Sequence, residues 1–200
     1  MTPTVMTDLL AYNCNLNTTN FIAQLNNPPP FDLVRQSFMH ELAREGDLLS
    51  AEVIFDAGSE LDLPNDEGRR PLHEAAFFGH LDMVQFFLAN GAVLDAPIHP
   101  FGHTALYLAV QQGRYEVVLY LLKRGAKIGV EDSLMGTGLL HIAAAKGDMR
   151  MAGILVAAGI SVFHEDRKGQ TARDIAARHG YNALAKSLLK VMEHQAKYTA

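Results

Sequence analysis

The chain has 200 residues, of which 48% are hydrophobic, so it can bury a core without disulfides. No apolar run approaches the roughly 18 to 20 residues of a membrane-spanning helix, and the single cysteine, Cys14, excludes an internal disulfide and a cysteine-based zinc site. The formal net charge of −5 disfavours generic nucleic-acid binding, which depends on a basic surplus.

Residues 1–30 are rich in asparagine and end in Asn26–Pro30, a stiff stretch that predicts a boundary before the rest of the chain. Within this extension, Val5, Met6, Leu9 and Leu10 are compatible with a short helix that caps the following domain, and a disordered or partner-binding tail is the alternative. The extension has no Lys or Arg and no sustained apolar stretch, so no intact signal peptide is predicted. We expect a cytoplasmic protein, with an exported or periplasmic mature chain as the alternative.

From residue 31 to residue 200 the chain repeats itself. One series of glycines has spacings of 33, 34, 34 and 33 residues, and a second series, interleaved with it, has spacings of 33, 34 and 34. Two series with a common period predict five repeats, at about 33–62, 65–95, 99–129, 133–163 and 166–198. The first series is Gly46, Gly79, Gly113, Gly147 and Gly180, and the second is Gly58, Gly91, Gly125 and Gly159.

The sequence predicts two helices in each repeat, as the second repeat illustrates. Pro71 suits the first helical position, and Gly79 suits the tight turn between the helices. The following helix carries one apolar stripe at helical spacing, and Gly91 suits its C-terminal end. In later repeats, Thr104 and Thr171 stand where a helix needs a side-chain cap. The stripe consists of Leu81, Val84, Phe87 and Leu88.

These segments resemble the ankyrin-repeat family, whose signature is T-P-L-H-x-A-A-x-x-G-H followed by L-L-x-x-G-A. The resemblance covers about residues 35–190 and is closest at Pro71–His73, Gly79-His80 and Gly91-Ala92. Arg70, Tyr107 and Gly138-Leu139 depart from the signature. The resemblance implies an all-α solenoid of helix-turn-helix units joined by β-hairpin loops. We call these loops fingers.

The histidine pattern does not indicate a catalytic site or a metal site. His40, His73 and His141 share one repeat position, and the resemblance implies that they order the turn through hydrogen bonds. His99 and His103 flank Pro100–Gly102, but no further metal ligand is obvious nearby. No nucleophile elbow, phosphate-binding loop or HExxH helix is present. We therefore predict a protein that is not an enzyme and uses no cofactor, metal or small-molecule substrate.

The resemblance implies partner contacts through the finger tips and the ends of the first helices. Two central fingers, Gly91 to Gly102 and Gly125 to Gly136, are one residue longer than the others. Aromatic and methionine residues are enriched where interfaces bury their centres. The predicted apolar patch is Phe77, Phe78, Phe101, Leu134 and Met135, rimmed by Glu67, Arg69, His103 and Lys146, and Gln111 and Gln112 are further predicted partner contacts. The alternative is that Phe77 and one tip residue pack against neighbouring repeats.

We expect a soluble monomer that binds another protein as an adaptor or scaffold. An inhibitor or protective protein that blocks a partner enzyme's cleft with the central fingers is the alternative. A nucleic-acid-associated regulator ranks third, because residues 146–200, with nine basic and five acidic residues, are its only support.

Overall fold

A computed structural model describes residues 31–199 except 57 and 59, with side chains described from residue 38 to residue 197. The chain divides after Arg35 into two units, of which the second comprises residues 36–200. The predicted N-terminal extension, with its cap or tail, lies outside the described residues.

Ten helices occupy the described part of the chain, arranged as five consecutive pairs. Their bounds are α1 Phe31–Glu45, α2 Leu48–Asp56, α3 Pro71–Phe78, α4 Leu81–Ala89, α5 Ala105–Gln112, α6 Tyr115–Lys123, α7 Leu139–Lys146, α8 Met149–Ala157, α9 Ala172–Arg178 and α10 Asn182–Thr199. The first helices of neighbouring repeats pack side by side, as in α3 on α5 and α7 on α9. This arrangement confirms the predicted all-α solenoid.

Local residues explain where the helices begin and end. Gly79, with φ +90°, adopts the left-handed conformation between α3 and α4, and its N–H donates to the Ala75 carbonyl. Pro71 begins α3, where a missing N–H costs nothing. Thr104 accepts a hydrogen bond from the Tyr107 N–H at α5, and Thr171 accepts one from the Asp174 N–H at α9. The predicted turn glycine and threonine caps are therefore confirmed.

The core is one continuous apolar cluster that runs through all five helix pairs. The first helices contribute small alanines that allow close approach, such as Ala75 and Ala76, both fully buried. The second helices contribute larger side chains, such as Phe87 and Leu121, which are also fully buried. Each helix pair is amphipathic, so its apolar side is covered by the neighbouring repeats.

The fingers contain less β-structure than the β-hairpin loops that the resemblance implies. Among the described residues, each of the last three fingers forms one isolated antiparallel bridge. These bridges are Ile98 with His103, Glu131 with Gly138, and Glu165 with Thr171. We name the fingers by these spans: the third finger is 98–103, the fourth is 131–138 and the fifth is 165–171.

Candidate functional site

The third, fourth and fifth fingers are joined at their tips. The Ser133 N–H donates to the Phe101 carbonyl across 2.9 Å, and the Arg167 N–H donates to the Met135 carbonyl across 3.1 Å. The Arg167 guanidinium also donates to the Ser133 carbonyl across 2.5 Å. The three tips therefore form one continuous edge, although they come from three different repeats.

A histidine–aspartate pair holds the third and fourth fingers together. His103 Nε2 donates to Asp132 Oδ2 across 2.8 Å. The other carboxylate oxygen of Asp132 accepts the N–H groups of Leu134 and Met135 across 2.9 and 2.8 Å. The His103 ring stacks on the Tyr107 ring, with centroids 3.9 Å apart, and on the Phe101 ring at 5.5 Å. This pair therefore positions Phe101, Leu134 and Met135 at once.

The hydrogen bonds around Asp132 determine its protonation. Burial alone raises the pKa of this carboxyl group, because an ionised group loses solvation in the interior. The bonds from the Met135 N–H, the His103 ring and the Leu134 N–H outweigh burial, so the pKa is lowered below its ordinary value. Asp132 is therefore ionised at neutral pH, and its charge maintains the conformation of the fourth finger.

Three apolar side chains on the joined tips are open to solvent. Phe101 is 38% exposed, Leu134 is 55% exposed and Met135 is 51% exposed. We call these three residues the finger patch. Exposed apolar side chains that occur singly are ordinary, but neighbouring ones on a fixed framework are typical of interaction surfaces.

Phe77 and Phe78 form a separate aromatic pair at the end of α3, with centroids 5.1 Å apart. Phe78 is exposed, whereas Phe77 is half-buried and packs against the core. The Arg44 guanidinium lies 5.9 Å from the Phe78 centroid, and the Arg69 guanidinium lies 5.6 Å from that of Phe77. Ring contacts among the described residues do not link this pair to Phe101, so the single predicted patch is not visible as one continuous contact group.

A buried carboxylate anchors these two arginines. Glu74 is 1% exposed, and one of its oxygens lies 3.6 Å from Arg44 Nη2 and 3.7 Å from Arg69 Nη1. Arg69 also lies 3.4 Å from the exposed carboxylate of Glu67. The two arginines therefore have intramolecular partners for their charge.

The remaining predicted residues lie at first-helix ends. Gln111 and Gln112 end α5 and are half-buried, and Lys146 ends α7 and is exposed. The Lys146 ammonium donates to the Gln111 carbonyl, which links consecutive helix ends across the repeat boundary. These residues lie at the predicted positions, and their contact with a partner stays a prediction.

The repeated histidines link each repeat to the next. His73 Nδ1 accepts the Arg70 N–H, and Nε2 donates to the Ala96 carbonyl, each across 2.9 Å. His141 repeats this arrangement with the Gly138 N–H and the Gln170 carbonyl, and His40 Nε2 lies 2.9 Å from the Arg69 carbonyl. These bonds have the turn-ordering character that the resemblance implies.

Burial lowers the pKa of His73 to about 4 and also lowers the pKa of His141. Geometry opposes protonation as well, because a second ring proton on Nδ1 would face the N–H that this atom accepts. Both rings are therefore neutral at pH 7 and serve as structural connectors between repeats.

Sequence reasoning missed Asp132 and Arg167 as organisers of the surface. One signal was available: His40, His141 and His103 each reach an acceptor 29 residues further on. His103 makes this connection from the finger, in the repeat where Tyr107 replaces the usual histidine. The Arg167 bonds had no such signal, because they depend on the rotation between repeats.

Two further features of the described residues concern metal-ligating side chains and cavities. The described residues contain no group of three or more His, Cys, Asp or Glu side chains that could hold a metal ion. A cavity of about 170 Å³ lies between the third and fourth repeats, at the loops that follow α6 and α8, and its lining includes Gly129, Gly138 and Leu140. None of the helices described is long and apolar enough to cross a membrane.

Comparison with known proteins agrees with the repeat geometry. Residues 39–132 match the family described as ankyrin repeats (three copies). The chain is 32% identical over 133 residues to a putative palmitoyltransferase ZDHHC13 of Danio rerio, an alignment covering 66% of this chain and 20% of the relative. It is 31% identical over 158 residues to the nuclear factor NF-kappa-B p105 subunit of Gallus gallus, covering 78% of this chain and 15% of the relative.

A third relative is the transient receptor potential cation channel subfamily A member 1 homolog of Caenorhabditis elegans, 30% identical over 156 residues. That alignment covers 78% of this chain and 13% of the relative, so the chain spans a fifth or less of each of these proteins. The similarity therefore concerns the repeats. Together with the helix pairs described above, it shows that the chain belongs to the ankyrin-repeat family.

Proposed function

We propose that this chain is a non-catalytic module that binds a partner protein through its finger tips and the concave face beside them, as an adaptor or scaffold. The finger patch carries this proposal, because it is exposed while its backbone is held by bonds between repeats. Ankyrin repeats generally mediate protein–protein interaction, and they are typically not enzymatic.

The arrangement of the patch supports binding for an energetic reason. Ordering a mobile loop on binding reduces affinity, whereas a surface already held in one conformation avoids that cost. Ser133, Asp132 and Arg167 fix the tips before any partner arrives. Central apolar anchors with polar surroundings are also the usual composition of binding hot spots.

The test compares capture by the intact chain with capture by two triple variants. Phe78→Ala, Phe101→Ala and Met135→Ala together remove exposed apolar side chains from the proposed surface. Leu49→Ala, Leu119→Ala and Leu189→Ala remove three that are at least as exposed on second helices, away from the fingers. Quantitative mass spectrometry of captured proteins should show partners shared by the wild-type chain and the second variant and lost from the first.

Thermal melting separates binding from folding in this experiment. Both triple variants should melt close to the wild-type chain, since the replaced side chains are exposed. Capture that depends equally on both sets, or a collapse of the melting transition in the first variant, would count against the proposal.

A second candidate function is inhibition of a partner enzyme by the central fingers. The third and fourth fingers belong to the two loops with one extra residue, and they carry the finger patch. A blocking role requires that saturating amounts of the chain reduce the captured partner's turnover. A scaffold would leave that turnover unchanged while still binding.

A further inference from the structure

We infer that the partner segment bound by this surface is acidic: an apolar stretch on the finger patch, with Asp or Glu residues beside it that reach the last two repeats. This inference rests on the proposed function and names the chemistry of its partner. The inference follows from a comparison of the cations near the patch: some are paired with a carboxylate of this chain, and others are not.

Four exposed cations lie on the C-terminal side of the surface. Arg167 and Lys168 are at the tip of the fifth finger, Arg178 is in the last turn of α9, and Lys146 ends α7. The bond from the Arg167 N–H to the Met135 carbonyl places Arg167 of this cluster directly beside the finger patch, and Arg178 donates to Gln170 of the same finger. An extended partner segment lying on the patch would therefore also meet the cluster.

Three of these cations donate to neutral acceptors. Arg167 donates to the Ser133 carbonyl, Arg178 donates to the Gln170 side chain across 2.8 Å, and Lys146 donates to the Gln111 carbonyl. Within the described side chains, none of the four lies within ion-pair distance of a carboxylate. Their charge is therefore left to attract an external anion.

The carboxylates of the fifth finger offset this cluster only in part, since Asp166 interacts electrostatically with Lys168. Asp166 is turned into its own loop, where it accepts the Lys168 and Gln170 N–H groups across 2.8 and 2.9 Å. Glu165 is exposed and makes no ion pair with the four cations. The cluster is therefore a local basic surface on a chain of net charge −5.

At the N-terminal end of the surface, the cations already have carboxylate partners. Arg44 and Arg69 share the buried Glu74, and Arg69 also pairs with Glu67. Glu45 and Asp66 are exposed beside them. Like charges across an interface are repulsive, so a partner's carboxylates are favoured at the C-terminal repeats and disfavoured at the N-terminal ones.

The test is a selection of peptides that bind the immobilised full-length chain, from a phage-displayed library of random 16-residue sequences. It is run in parallel on the triple variant Arg167→Glu, Lys168→Glu and Arg178→Glu. The matched control is Lys123→Glu, Lys127→Glu and Lys186→Glu, which changes the net charge equally on second helices and the loop after α6. Selected peptides are then synthesised, and their affinities are measured at low and high salt.

The wild-type chain and the control should select peptides that combine apolar residues with Asp or Glu, and the charge-reversed variant should select basic ones. For an acidic wild-type peptide, charge reversal should weaken binding by about tenfold or more, since each exposed pair contributes modestly and three are reversed. Higher salt should reduce the difference.

The alternative outcomes distinguish the two proposals. Peptides that bind equally to the wild-type and charge-reversed chains, yet lose binding when Phe101 and Met135 become alanine, would overturn the acidic partner and retain the proposed function. Peptides whose binding is changed neither by charge reversal nor by the alanine substitutions would overturn both the acidic partner and the proposed function. A single-stranded DNA oligonucleotide that binds the cluster more tightly than any selected peptide would also overturn the inference.

Discussion

Gly138 stands at a helix N-cap where other repeats of this chain have a side chain. The equivalent residues are Arg70, Thr104 and Thr171, two positions after the finger glycine. Gly129 similarly stands where the two preceding repeats have Asp95 and Asp62. Both glycines line the cavity of about 170 Å³ between the third and fourth repeats, so two missing side chains account for part of that space.

Replacing Gly138 by serine should stabilise the chain by about 0.5 to 1 kcal/mol, through a capping hydroxyl and a less flexible unfolded chain. Its φ of −84° suits any residue, and an added Cβ would meet its nearest neighbour, in His164, at 3.4 Å. Urea denaturation measures the difference. The matched control is Gly136→Ser, which should destabilise, because that residue has φ +65° and a Cβ would lie 3.1 Å from the Arg167 side chain. Equal effects of the two substitutions would contradict this account.

At the scale of the helix pair, the sequence predicts turns and caps within a repeat better than it predicts contacts between repeats. Gly79 and Thr104 were predictable because their roles depend only on adjacent backbone. The bonds joining Phe101 to Ser133 and Arg167 to Ser133 were not, because they depend on how one repeat rotates against the next. The sequence therefore predicted Phe101, Leu134 and Met135 as parts of one surface, whereas the bonds that join their fingers were found only in the structure.

The histidine connectors make stability depend on pH. The pKa of His73 is about 4 in the folded chain and near 6.5 when unfolded, so below pH 6.5 the unfolded state binds more protons. Stability should therefore be constant above that pH and fall as the pH drops from about 6.5 toward 4. At pH 5 the loss from His73 should be on the order of 2 kcal/mol, and the lowered pKa of His141 acts in the same direction.

Urea denaturation between pH 7.5 and 5 measures this dependence. His73→Gln should flatten the profile, even if it lowers stability at pH 7, because the titrating group is gone. His99→Gln removes an imidazole from an exposed finger position and serves as the control. An unchanged slope in His73→Gln would show that another group is responsible.

For the whole molecule, the interfaces between repeats carry stability that no single repeat has alone. The central repeats have neighbours on both sides, and Leu106 and Leu121 there are fully buried. The first and last helix pairs have a described neighbouring pair on one side only. Protection of the backbone against local opening should therefore decrease from the middle toward the ends.

Native-state hydrogen exchange followed by mass spectrometry tests this gradient. Amides of α5 and α6 should exchange slowest, and those of α10 should exchange faster. Two matched substitutions sharpen the test: Leu106→Ala and Leu184→Ala delete the same atoms from sites that are 1% and 3% exposed. Each should cost about 2 to 5 kcal/mol locally. Because repeats interact with their nearest neighbours, Leu184→Ala should accelerate exchange in α9 and α10, whereas Leu106→Ala should accelerate it in the central repeats and on both sides of them. Uniform acceleration along the chain in both variants would mean that the five repeats open only as one cooperative unit.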